Sequence, residues 1–198
     1  MMAQLDRSHT DDQYLERLRT FELPATRWLL IGLVGAVIAA WIGWSAFETN
    51  HYRAAIPPEI GLAFGLATTD SDSSLWTARL PIPPKACGGA IFGLDSATAA
   101  AIRAQGPAFF KAATRGRGYR GPPGDGGYKW QPTPLPDGWI SWRLQGMWYG
   151  LSCMRLRPDY AQSISAAAAG PNAFYTTGPS TMLLVIPDQR LVVFTYTH

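Results

Sequence analysis

The sequence predicts an α+β fold: one N-terminal transmembrane helix, then an extracytoplasmic domain with a mainly antiparallel sheet and a few short helices. Three observations carry this expectation. Residues 28–47, WLLIGLVGAVIAAWIGWSAF, run for twenty positions without a charge. The remaining chain orders its local signals as helices, hairpin, helix, hairpin, a succession that suits an antiparallel sheet with segregated helices. Both cysteines, Cys87 and Cys153, follow the apolar run.

The boundaries follow from composition. Residues 1–27 read as a cytoplasmic tail, 28–47 as the membrane span, 48–75 as a juxtamembrane stalk or lead-in, and 76–198 as the extracytoplasmic domain. In the tail, Thr10-Asp11-Asp12-Gln13 has the form of a capping box. Tyr14, Leu15, Leu18 and Phe21 then recur at helical spacing, so a short amphipathic helix is expected over 11–21, stopped by Pro24.

A twenty-residue helix is about 30 Å long, the thickness of a bilayer's hydrocarbon core. A cleaved signal peptide is the rival reading. It fits poorly, because twenty-seven residues precede the run and the run exceeds a signal's apolar core. Arg17, Arg19 and Arg27 flank the N-terminal end, against Arg53 alone on the other side. The tail is therefore expected on the cytoplasmic side of a bacterial-type inner membrane and the domain in the periplasm or outside the cell. Gly35, Ala39 and Gly43 recur at every fourth position. Small residues at this spacing allow close helix packing, which suggests a membrane-protein partner or a homo-oligomer.

Beyond the span, prolines and glycines and then residues 68–74, TTDSDSS, read as irregular lead-in, with a strand expected over 75–80. Residues 94–105 predict a helix capped by Asp95 or Ser96 and closed by Gly106, and Pro107 opens a second short helix. A long glycine- and proline-rich loop covers 115–138. A hairpin is expected from 140–144 and 148–156, then an alanine-rich helix from Pro158 to the stop at Gly170-Pro171. A last hairpin joins 182–186 to 191–197 through Pro187-Asp188-Gln189-Arg190.

Residues 48–198 carry thirteen Lys and Arg against nine Asp and Glu, a mildly basic balance. An oxidising compartment favours a Cys87–Cys153 disulfide. Closing that long loop is worth up to about 4 kcal/mol in the chain-entropy account. No His or further Cys sits at ligand spacing beside either thiol, so neither a metal nor any other cofactor is expected.

The most distinctive soluble feature is Arg115, Arg117, Tyr119 and Arg120 among glycines, followed by Tyr128, Lys129 and Trp130. Interleaved cationic and aromatic side chains bind phosphates and sugars. Outside the cytoplasm an envelope glycan, an anionic lipid or an acidic partner is the fitting ligand, and nucleic acid is not. A solvated mobile loop is the competing reading. The glycines form no phosphate-cradling motif. Trp130, Trp139, Trp142 and Trp148 cluster nearby, and at least two of them are expected in the core. Residues 132–136, PTPLP, read as an extended partner-binding segment or a rigid connection.

Catalytic patterns are lacking. There is no G-x-S-x-G, H-E-x-x-H or C-x-x-C, and His9, His51 and His198 are scattered along the chain. The sequence favours a non-enzymatic, single-pass accessory or scaffold protein of an envelope or membrane complex. The alternative is an anchored module for a glycan or anionic lipid, with an enzyme of unassigned class third.

Overall fold

The computed structural model describes residues 24–71, 87–118, 127–136, 139, 148–178 and 180–197. The chain divides into two compact units, Met1–Ala46 and Phe47–His198. In the first, the described residues belong to helix α1 (Pro24–Arg53), whose last turns run into the second unit. The side chains of residues 27–47 are all exposed. By length and composition, α1 is able to cross a membrane. The tail helix expected over 11–21 lies outside the described residues.

The second unit is built on six strands: β1 (Leu62–Ser71), β2 (Cys87–Leu94), β3 (Gln131–Pro132), β4 (Phe174–Thr177), β5 (Thr181–Ile186) and β6 (Leu191–Thr197). They form one sheet in the order β1-β2-β6-β5-β4-β3, with every described pairing antiparallel. The β5–β6 hairpin is the one the sequence predicts, and Arg190 closes its four-residue turn at φ 51°. Successive side chains along a strand face opposite ways, and here both faces are buried. Phe92, Leu183, Val185 and Phe194 enter one core, while Ile91, Leu184, Ile186 and Val193 enter the other. This two-sided burial explains why β5 reads Met-Leu-Leu-Val-Ile without polar alternation.

Helix α2 (Ser96–Gln105) and the 3-10 turn Gly106–Lys111 cover the first face through Ala99, Ile102 and Phe110. Helix α4 (Pro158–Ala169) and the short α3 (Tyr149–Ser152) cover the second through Ile164, Ala168 and Leu151. The disulfide joins Cys87, at the start of β2, to Cys153, just after α3, with Cα atoms 5.8 Å apart. It fastens the second layer to the sheet.

Three expectations need correction. Residues 148–156 form no strand; Trp148 precedes the helical turn of α3 because its ring and Leu151 are needed as core on the second face. Nor, of the stalk or lead-in expected over 48–75, do the described residues 48–71 form a separate stalk. Ala55, Ile56 and Ile60 are fully buried, and 62–71 is the edge strand β1. The third concerns the 115–138 loop, where residues 131–132 pair with β4 as strand β3. Beyond them Thr133 bonds Ala173 through both its backbone and its hydroxyl, and Leu135 N–H reaches Ala168 O at 2.9 Å. The proline-rich segment is thus a rigid connection. The strand expected over 75–80 and the hairpin arm over 140–144 fall outside the described residues, apart from Trp139 just before that arm.

The start of α2 shows how locally the fold is fixed. Asp95 caps it, accepting from Thr98 N–H at 2.9 Å and from the Thr98 hydroxyl. Those two hydrogen bonds, the hydroxyl's first, hold the Asp95 carboxyl below its ordinary value, as a weaker bond from Ala97 also does against slight desolvation. Asp95 N–H in turn donates to Gly61 O at 3.1 Å. A side chain at Gly61 would collide with the Asp95 carboxylate.

Two outcomes follow for stability. Asp95→Ala should lower unfolding free energy by about 1 kcal/mol, and Gly61→Ala by a similar amount because it evicts the same cap. A depressed folded pKa contributes stability above the unfolded value and loses it as pH falls through the folded one. The wild-type advantage over Asp95→Ala should therefore be constant from about pH 5 to 8 and shrink below about pH 4 in denaturant titrations. Replacing both cysteines by alanine should cost about 2–4 kcal/mol, read as a fall in melting temperature that added reductant reproduces in the wild type.

Candidate functional site

The residues that leave α1 do not trail away from the domain; they are held against it. Ile56 N–H bonds Arg53 O at 3.1 Å and Ile60 N–H bonds Pro57 O at 3.1 Å, so the backbone turns sharply twice. Tyr52, only 7% exposed, stacks on Tyr196 of β6 with ring centres 5.7 Å apart and also meets Phe194 at 5.9 Å. The two tyrosine hydroxyls are 3.1 Å apart. His51 lies edge-on to Tyr52, with Phe47 one helical turn before it. Apolar ring area and a paired polar tip together make this a firm joint between helix end and sheet.

The arginine-rich loop closes over the same segment. Gly116 is needed because its α-carbon lies against the Ala54 and Ala55 carbonyls; a Cβ there would come within 2.6 Å and 2.8 Å of their oxygens. On its C-terminal side, Arg117 Nη2 donates to Pro58 O at 3.2 Å and Ile60 O at 2.9 Å. Burial first and the nearby Arg53 second push the Arg117 guanidinium below its ordinary value, while Glu59 opposes them. An arginine so placed remains protonated. Tyr128 donates its hydroxyl to Ala55 O, and its backbone N–H reaches Thr114 O at 2.7 Å. Trp130 donates to Ala113 O at 2.7 Å and stacks on Phe110 with ring centres 4.4 Å apart.

This arrangement divides the residues singled out as a ligand surface. Tyr128 is buried and Trp130 is packed against the core, so neither offers an open aromatic face as a sugar platform does. Their hydroxyl and indole groups bind the chain's own carbonyls. Arg117 is part structural, part exposed. Arg115 and Lys129 are exposed, the latter held through its backbone N–H on Thr176 Oγ1 at 3.0 Å. Tyr119 and Arg120 lie outside the described residues.

Among the tryptophans, Trp148 is core and bonds Thr195 Oγ1 at 2.9 Å, whereas Trp139 is exposed and Trp142 lies outside the described residues. In α1, Gly35, Ala39 and Gly43 are exposed, and a Cβ at either glycine would meet nothing within 4 Å. No group of three or more His, Cys, Asp or Glu that could hold a metal occurs among the described residues.

Sequence reasoning missed Arg53, Glu59 and the tyrosine pair as parts of this site. Arg53 was visible only as a flanking charge, and nothing local links Tyr52 to a residue 144 positions away. No family model, curated protein or solved structure matches this chain.

Tyr128→Phe should leave the Ala55 carbonyl buried without its donor and cost about 1–3 kcal/mol. Amide hydrogen exchange should then speed up over residues 54–60 and 114–118 together, because Tyr128 ties both segments, one through its hydroxyl and the other through its backbone N–H. Faster exchange at only one segment would show that they open separately.

Proposed function

We propose that this chain is a single-pass, membrane-anchored accessory or scaffold protein of a cell-envelope complex, acting through protein–protein contacts. The observation that carries the reading is the bare apolar surface of α1. Twelve large apolar side chains between Trp28 and Phe47 are exposed. At about 1.5 kcal/mol or more each, covering them is worth on the order of 20 kcal/mol, above the whole stability of an ordinary domain. A bilayer supplies that cover along the full helix. Arg17, Arg19 and Arg27 on one side against Arg53 on the other favour a cytoplasmic tail and a domain in the periplasm or outside the cell, and a disulfide suits an oxidising space.

The scaffold part of the reading is supported by what the described residues contain. The loop that resembled a glycan platform spends two aromatics on internal contacts. The open row Gly35, Ala39 and Gly43 gives a second helix room for close backbone approach.

The test uses the full chain in its membrane. Alkaline carbonate should leave it in the pellet, and protease added outside the membrane should digest the domain but spare the tail. Gly35→Leu with Gly43→Leu should keep insertion, since both changes are apolar, but abolish cross-linking to the partner or to a second copy. Extraction by carbonate would overturn the anchor. Unchanged cross-linking would remove the helix row from the contact surface.

A further inference from the structure

We propose that Arg53, Arg115 and Arg117 form a site for the phosphate head group of an anionic phospholipid at the point where α1 leaves the bilayer. The inference rests on the membrane-anchored reading above and adds a ligand to it. Its basis is placement. Arg53 closes α1 six residues after Phe47, about 9 Å along the helix axis. That distance matches the head-group layer beside a hydrocarbon core.

The two loop arginines are fixed to the same stretch of chain. They flank Gly116, which lies on the Ala54 and Ala55 carbonyls, and Arg117 is tied to Pro58 and Ile60. Nη2 makes both of those bonds, so the Nε and Nη1 donors of Arg117 have no partner among the described residues. Arg53 and Arg115 are exposed. Arg53 and Arg117 are close enough to repel each other, and among the described residues Glu59 is the carboxylate acting on Arg117. Among the described residues, Arg53, Arg115 and Arg117 bring three positive charges to this stretch of chain against the Glu59 carboxylate, at head-group depth, where an anion relieves the repulsion.

Arginine suits this task. Its planar fork donates two parallel hydrogen bonds to phosphate oxygens and stays charged when water is partly excluded. A sugar site would instead need open aromatic faces, and Tyr128 and Trp130 are turned to the chain itself. The site works whichever leaflet the helix end occupies, because it follows from depth and charge alone.

The experiment reconstitutes the full-length protein in nanodiscs of equal phosphatidylglycerol and phosphatidylcholine and reads retained lipid by native mass spectrometry. Phosphatidylglycerol should be retained about tenfold or more above its bulk share on the wild type, from charges worth about one order-of-magnitude step near an anionic surface. Arg53→Gln with Arg115→Gln should bring retention to within about twofold of bulk, and about 0.5 M salt should weaken it in the wild type. Arg157→Gln with Arg190→Gln removes the same charge from other exposed positions and should leave retention unchanged.

Equal loss in both double variants would mean diffuse attraction and overturn the site. So would insertion without enrichment, which leaves the anchor reading intact. Failure to enter the discs at all would overturn anchor and site together. Displacement of the lipid by soluble glycerol phosphate or an anionic oligosaccharide at lower concentration would reassign the arginines to a soluble ligand and overturn the lipid assignment.

Discussion

An antiparallel sheet that is apolar on both faces must be covered twice, and the rest of the domain answers to that constraint. β2, β5 and β6 send alternate side chains into two separate cores. On one side the cover is α2, the 3-10 turn and the segment just past α1. On the other it is Trp148, α3 and α4, stitched to β2 by the disulfide. The demand for apolar cover explains why residues that look like linker are core. Ile56 and Ile60 are wholly buried although prolines stand between them, because they share one core with the sheet and with Ala99, Ile102 and Phe110.

The same demand shapes the arginine-rich loop. A loop of this composition in water has little reason to adopt one conformation, since glycine backbones lose the most entropy on ordering. Here Tyr128 and Trp130 spend their apolar rings on the core and their single polar groups on the Ala55 and Ala113 carbonyls. The aromatic anchors pull the basic stretch onto the exit of α1, and Gly116 makes the close approach possible. Charge and aromatics in one loop therefore do different work. The rings fix position, while Arg115 stays exposed and Arg117 bonds the Pro58 and Ile60 carbonyls.

How far the sequence revealed this depends on the range of each signal. The cap at Asp95, the stop at Gly106, the alanine-rich α4 and the β5–β6 hairpin were legible because their causes lie within a few residues. The cysteine pair was legible because two thiols allow one pairing. β2 was not, since Cys-Gly-Gly-Ala-Ile-Phe-Gly-Leu carries three glycines and no alternation, and its identity as a strand comes from neighbours on both sides. β4 lies directly behind a helix stop and is short. The 148–156 segment shows the opposite error: its aromatic and aliphatic residues are core, but on a helical turn. Of the candidate site, the residue types were visible in sequence and their allegiance was not. Whether a tyrosine hydroxyl meets a ligand or a carbonyl 73 positions away is a tertiary fact.

A consequence concerns where the folded unit begins. It starts at Phe47, inside α1, so the last turns of that helix belong to the same unit as the sheet. Tyr52 belongs to the helix by its backbone and to the sheet by its ring. Its hydroxyl pairs with Tyr196 on the final strand, which itself pairs with β2 and β5. Within the second unit, residues 52–56 are thus held to the central strands through one ring pair and a short turn. Aromatic area thereby fastens the last turn of the helix to the final strand inside one folded unit, and the fold of that unit depends on residues whose local sequence reads only as helix.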